Sequence, residues 1–150
     1  MCGIAGFLDR RGSQSQTEAS ATARRMADAM LHRGPDDGGV WVNARDGIAF
    51  GHRRLSIIDL SPMGHQPMVS QSGRTVIAYN GEVFNHSELR IELEQCGARF
   101  RGGSDTEVIL EACERWGVEK TASRLIGMFA FALWDCRERI LTLVRDRLGI

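Results

Sequence analysis

Apolar residues along the chain gather in short runs separated by stretches rich in glycine, proline and serine, and the period inside each run assigns its element. Residues 2–8 (CGIAGFL) are apolar and small, and predict a buried strand. The polar run 11–16 (RGSQSQ) predicts a loop. Residues 17–31 are alanine-rich, with Met26, Met30 and Leu31 at helical spacing, and predict a helix with Thr17 as its N-cap. The segment 32–39 (HRGPDDGG) cannot continue that helix, because Pro35 and three glycines break regular structure. Residues 40–42 and 48–51 predict the strands of a hairpin turning through 43–47, where Asp46-Gly47 is the turn signal.

Residues 61–67 read as loop, and 75–79 as a strand that Asn80-Gly81 breaks. A helix over 85–95 follows, with Asn85 as cap, Glu88 three residues on and Gly97 just past the end. Ser104 with Glu107 forms a second capping box, opening a helix to Trp116 that Gly117 stops, and a shorter helical stretch reaches Leu125. Residues 128–134 (MFAFALW) and 139–145 (RILTLVR) predict paired strands around a turn at 135–138. The first is apolar on both faces, as in a sheet covered on both sides. Strands grouped with helices, without strict βαβ alternation, predict α+β layers rather than a doubly wound sheet. No internal repeat, low-complexity tract or linker divides the 150 residues, which fit one domain.

Charge narrows the function classes. Nineteen basic residues balance nineteen acidic ones, and the two signs are interspersed, so no net field recruits nucleic acid or an acidic membrane surface. No apolar stretch approaches the roughly 18 residues of a membrane span. The first residues lack the cationic start and apolar middle of a signal peptide, with Asp9 and Arg10 interrupting them. These features predict a cytoplasmic protein. Four cysteines without a C-x-x-C pair, and four histidines without zinc-finger spacing, give no ground for a disulfide framework or a metal site. Cys96 and Cys113 read as helix-packing residues, and Cys136 lies beside a strand.

Chemistry enters at residue 2. Methionine is normally trimmed before a small side chain, so a mature chain would begin with Cys2 and carry a thiol and a free α-amine on one residue. A thiolate is the reactive form of cysteine, and an α-amine with a reference pKa of about 7.7–8 can act as a base near neutrality. That is how N-terminal nucleophile enzymes combine nucleophile and base, although position alone favours a small buried residue at a strand start. Arg54, where GHRRLSIID passes from strand to loop, can clamp a carboxylate in bidentate fashion or form a structural salt bridge. Asn80-Gly81 after a strand can offer an amide and a backbone N–H to an oxyanion, or can be a simple turn. Glu82 adds a carboxylate able to receive an ammonium. Asp105, at a helix N-terminus after Gly102-Gly103-Ser104, can serve the helix dipole or bind an ammonium. As a set, these residues suit a substrate with an α-carboxylate, an α-ammonium and an attackable side-chain carbonyl. Glutamine is such a molecule.

Seven ordered blocks carry a family resemblance: MCGIAGF, HRGPDDGG, GHRRLSIID, YNGEVFNH, GGSDTEVIL, GMFAFALWD and RDRLGI. The chain resembles, over essentially its whole length, the glutaminase domain of glutamine-hydrolysing asparagine synthetase, a class II glutamine amidotransferase. The resemblance implies the N-terminal nucleophile hydrolase fold, a four-layer αββα sandwich of two antiparallel sheets. It implies Cys2 as nucleophile and Asn80 with Gly81 as oxyanion hole. Arg54 would bind the glutamine carboxylate, and Glu82 and Asp105 would surround its amino group. Leu55, Ser56, Ile57 and Ile58 would line the pocket, and His32, Arg33 and Asp36 would order the site.

The same resemblance implies hydrolysis of L-glutamine to glutamate and ammonia through a thioester, with no cofactor or metal in that step. ATP, Mg2+ and aspartate belong to a C-terminal synthetase domain, the expected partner, which is absent from this sequence; a homodimer is a further partner to test. The chain stops at RDRLGI, where the resemblance leads one to expect more glutaminase residues, so it reads as a glutaminase domain over residues 1–150 that is incomplete at its C-terminus. Two alternatives stay open: the glutaminase domain of another amidotransferase acting on a different carboxylate, and a non-catalytic regulatory module on the same fold.

Overall fold

Space, more than hydrophobicity, decides how the N-terminal helix packs. The computed structural model describes residues 2–57 and 61–149. Helix α1 (Gln16–Asp28) is capped by Ser15 rather than Thr17. The Glu18 N–H donates to Ser15 Oγ, and the Ser15 N–H donates back to the Glu18 carboxylate at 2.9 Å, closing a full capping box. The buried stripe is Ala19, Ala23 and Ala27, whereas Met26 and Leu31 are exposed. Gly51 runs directly beneath this face. A Cβ there would lie 2.7 Å from the Ala23 carbonyl oxygen and 3.1 Å from Ala27 Cβ, so only methyl groups fit between helix and sheet. The helix stops at Asp28, earlier than the apolar spacing predicts, and a 3₁₀ turn (Leu31–Arg33) leads into the HRGPDD loop.

That helix covers a three-stranded antiparallel sheet of β1 (Gly3–Leu8), β2 (Asp37–Asn43) and β3 (Ile48–Arg54), in the order β1-β3-β2. The hairpin is longer than predicted, because Gly38 and Gly39 are strand residues and not breakers. A Cβ on Gly39 would sit 2.0 Å from the Gln66 carbonyl oxygen; glycine is there for close approach of backbones. These elements form one compact unit, Met1–Ser56 with His65–Pro67.

The second unit comprises Ile57–Gly64 and Met68–Ile150. Its sheet is β4 (Met68–Val69), β5 (Thr75–Val83), β6 (Gly127–Asp135) and β7 (Ile140–Arg145), all antiparallel and in that order. Its helices are α2 (His86–Gln95), α3 (Asp105–Trp116) and α4 (Val118–Arg124). Ile77, Tyr79, Phe129, Phe131 and Leu133 of the sheet form one core with Leu89 and Leu93 of α2 and Val108, Ile109 and Ala112 of α3. Burying each large side chain contributes about 1.5–3 kcal/mol. Residues Asp105 to Cys113 of α3 are all buried, so this helix is the central support of the unit.

Three local expectations change here. Strand β5 is not broken at Asn80-Gly81 but continues to Val83, with Asn80 opposite Ala130 and Gly81 opposite Phe129. Asn85 precedes α2 but makes no side-chain cap; its amide instead donates to the Arg124 carbonyl and accepts from the Ile126 N–H, both at 3.0 Å. Cys96 is exposed at the end of α2, whereas Cys113 is buried as predicted, its thiol pushed up to about 12 chiefly by burial and so inert.

Candidate functional site

In the first unit the predicted residues gather around the ends of β1 and β3. Cys2 immediately precedes β1. The Leu55 N–H donates to Cys2 Sγ at 3.3 Å, and the thiol in turn reaches the Leu55 carbonyl at 3.7 Å. The sulfur is thus held by backbone one residue beyond β3. Gly3 lets the chain lie against α1's end, since a Cβ there would be 2.9 Å from Met30 Cβ. Arg54, the last residue of β3, is only 8% exposed and stands opposite Asp37 in the β2–β3 register.

The HRGPDD loop is fastened to this same stretch. A Cβ on Gly34 would lie 2.3 Å from the Arg53 carbonyl carbon, so the loop crosses directly over the β3 backbone. The Asp36 N–H donates to the Arg54 carbonyl at 3.1 Å, and its carboxylate accepts the Ser56 N–H at 2.8 Å. Asp36 therefore orders Leu55 and Ser56 around the thiol, while His32 and Arg33 lie on the exposed 3₁₀ turn. Asp37 pairs with His65 Nδ1 at 2.7 Å. Burial alone would raise the Asp37 carboxyl, but hydrogen bonds from His65 and the Gly38 N–H, then the charges of His65 and Arg54, hold it below the usual carboxylate range. This pair beside Arg54 escapes sequence reading, because 28 residues separate its members.

In the second unit the predicted residues gather where β5 meets α3. Asn80, Gly81 and Glu82 are consecutive on β5 and half-buried. Asn80 Oδ1 is buried without a hydrogen-bond partner among the described residues. Gly81 has φ 154°, and a Cβ on it would lie 2.3 Å from the Met128 carbonyl oxygen. Both backbone groups of Phe129, the residue opposite, bond to Asp146 on the other side of β6. Gly81 and Phe129 are therefore a non-hydrogen-bonded pair, and the Gly81 N–H points to the other edge of β5. There β4 pairs no farther than Ile77, so the donor faces no neighbouring strand among the described residues.

Asp105, the first residue of α3, is 5% exposed. Its Oδ2 accepts from Tyr79 OH at 2.6 Å and from the Val83 N–H at 3.1 Å, bracketing the Asn80–Gly81–Glu82 segment. Ser104 caps α3, and Glu107 accepts the Arg101 and Gly102 N–H groups at 3.0 and 2.9 Å, which shapes the loop ahead of Asp105. Tyr79 carries a signal that sequence reading passed over: a tyrosine at a buried strand position needs a partner for its hydroxyl. Ile57 is exposed, and Ile58 and Met1 lie outside the described residues. Among the described residues no group of three or more His, Cys, Asp or Glu could hold a metal ion.

The family described as glutamine amidotransferase domain matches residues 1–150. One relative, asparagine synthetase [glutamine-hydrolyzing] 3 of Bacillus subtilis (strain 168), is 41% identical over 152 residues, covering 100% of this chain and 24% of its own length. A putative asparagine synthetase [glutamine-hydrolyzing] of Mycobacterium bovis is 43% identical over 162 residues, with the same coverage, 100% and 24%. The chain thus spans about a quarter of the length of these relatives. Among solved structures, glutamine phosphoribosylpyrophosphate amidotransferase from B. subtilis superposes with TM-score 0.68 at 21% identity, over 89% of this chain and 34% of that one. The fold expected from the seven sequence blocks, α+β with two antiparallel sheets, is the fold of that amidotransferase.

Proposed function

Because the chain belongs to the glutamine amidotransferase domain family, we propose that it hydrolyses L-glutamine to glutamate and ammonia through a thioester on Cys2. In this reading the Cys2 thiolate bonds to the side-chain amide carbon, and the carbonyl electron pair moves onto oxygen. The Asn80 amide and the Gly81 N–H donate to that oxyanion. Collapse breaks the C–N bond, and the leaving nitrogen takes a proton from the Cys2 α-ammonium to depart as ammonia. Water then attacks the thioester, gives its proton to the α-amine, and releases glutamate and the thiolate. Arg54 clamps the substrate carboxylate, Glu82 and Asp105 receive the ammonium, and the backbone of Leu55, Ser56 and Ile57 lines the pocket. Asp36 orders that loop, with His32 and Arg33 beside it. No cofactor enters these steps.

The observation that carries the reading is the cradle around Cys2 Sγ, held by the Leu55 backbone at 3.3 Å beside a buried arginine. A fixed thiol on the Leu55 backbone, with buried Arg54 the preceding residue of the chain, fits a substrate with an electrophilic carbonyl and a carboxylate. The relatives are named as glutamine-hydrolysing asparagine synthetases and are about four times longer, which supports a wider role in a longer parent protein. There the ammonia would amidate aspartate to asparagine at a synthetase domain that binds ATP and Mg2+. A cytoplasmic location fits this metabolism, and among the described residues no helix is long and apolar enough to cross a membrane. The test is glutamate release from glutamine by the protein and by Cys2→Ala. Release that depends on Cys2 supports the reading; equal release from both variants overturns it.

A further inference from the structure

We infer that Asp146 is a positioning residue for the Gly81 oxyanion donor, an assignment that rests on the glutaminase reading above. Strand β7 ends at Arg145, which pairs with Ala130. Continued pairing would set Asp146 opposite Phe129 and join the two residues by backbone bonds in both directions. Only one of those bonds forms: the Asp146 N–H donates to the Phe129 carbonyl at 2.8 Å. The Phe129 N–H instead donates to the Asp146 side chain, Oδ2, at 3.1 Å. The other carboxylate oxygen, Oδ1, accepts the Leu148 and Gly149 N–H groups at 2.9 and 2.6 Å. The carboxylate therefore replaces a ladder bond where the chain turns out of the sheet, and it does so while only 8% exposed.

The consequence reaches Gly81 without a direct contact. With both backbone groups of Phe129 committed to Asp146, the Gly81–Phe129 pair stays non-hydrogen-bonded and the Gly81 N–H stays on the open edge of β5. The spacing leaves no slack, because a Cβ on Gly81 would lie 2.6 Å from Phe129 Cα. A displaced Phe129 therefore displaces Gly81. Two aspartates thus hold the donor segment, Asp105 through Tyr79 and Val83 and Asp146 through Phe129. An asparagine cannot replace Asp146. Its amide has a single acceptor oxygen, able to serve the Phe129 N–H or the turn N–H groups, but not both sides.

The experiment compares Asp146→Asn with the unsubstituted protein in glutamine kinetics, in alkylation of Cys2 by iodoacetamide, and in the 15N–1H resonance of Gly81. The expected result is a kcat lowered about 10–100-fold, less than or comparable to outright loss of an oxyanion donor. The glutamine KM and the Cys2 alkylation rate should stay near their unsubstituted values, and the Gly81 resonance should move. Unchanged kcat and an unmoved resonance overturn the assignment, as does a kcat loss matched by equal losses in alkylation and substrate affinity. If Asp146→Asn does not fold, the same measurements on Asp146→Glu decide by the same outcomes. Absence of glutamate release from the unsubstituted protein overturns the glutaminase reading as well, whereas normal turnover in the variant overturns this assignment alone.

Discussion

Tyr79 OH donates to Asp105 Oδ2 at 2.6 Å, joining a strand to the first residue of the central helix across 26 positions of sequence. The same oxygen takes the Val83 N–H, so one carboxylate fixes the residues on either side of Asn80–Gly81–Glu82. Tyr79→Phe removes one donor from a buried carboxylate. Hydrogen bonds to charged groups are worth about 1.5–3 kcal/mol, so a melting temperature lower by roughly 3–10 °C is expected. If Asp105 also receives the substrate ammonium, the glutamine KM should rise more than kcat falls. Calorimetry with steady-state kinetics checks both. An unchanged melting temperature would show that the pair does not hold the segment.

Gly81 is held to glycine by its neighbours as well as its backbone. At φ 154° an L side chain is strained, and its Cβ would come within 2.3 Å of the Met128 carbonyl. Gly81→Ala should cost about 2–4 kcal/mol and remove activity. Gly73 makes the comparison, because its φ is 73° with nothing within 4 Å of an added Cβ. Gly73→Ala should cost only about 1 kcal/mol and spare activity. Chemical denaturation of the two variants separates crowding from backbone strain, and equal losses would mean crowding at Gly81 is relieved by shifts in β6.

How much of this was legible depended on whether the deciding partner was local. Helix α3 was readable because Ser104 and Gly117 are its own start and stop signals, although the Glu107 carboxylate bonds the Arg101 and Gly102 N–H groups instead of closing the predicted box on Ser104. Ser15-x-x-Glu18 is equally local, but the surrounding polar run hides it and favours Thr17 as the cap. The Asn80-Gly81 break failed for the opposite reason: a turn-forming pair was overruled by pairing with β6 over the full length of β5. The alanine stripe of α1 was hidden by the larger Met26 and Leu31, since only the position of Gly51 excludes them. Cys2, Arg54, Asn80 and Asp105 stood out because each sits at an element end or a glycine. Tyr79, Asp146 and the Asp37–His65 pair act through distant partners, which spacing alone cannot reveal.

Asp37 should make stability acid-sensitive. Its carboxyl is held below the usual range against the opposing effect of burial, chiefly by His65 and the Gly38 N–H. A depressed folded-state pKa adds stability that is complete above the unfolded value of about 3.9 and lost as pH falls through the folded value. Asp37→Asn should therefore melt about 1–3 °C lower than the unsubstituted protein at pH 7, with the gap closing below about pH 4. Melting curves across this range check it; a gap that persists at low pH would assign the effect to shape rather than charge.

Cys2 offers the sharpest separation of chemistry from structure. Its sulfur touches only the Leu55 backbone in the hydrogen bonds described, so Cys2→Ala should leave the fold intact at a cost of about 1 kcal/mol or less. Glutamate release should nevertheless disappear, since no other described cysteine shares that setting: Cys113 is buried and inert, Cys96 is exposed, and Cys136 is half-buried just past the end of β6. The proposed base is the α-amine of the same residue, which exists only when Met1 has been removed. Mass spectrometry of active protein should show a chain beginning at Cys2, and a variant that retains an N-terminal extension should bind glutamine yet turn over about 10²–10⁴-fold more slowly, the usual contribution of a positioned general base. Full activity with Met1 in place would require a different base, and would remove the α-amine from the mechanism while leaving the thioester.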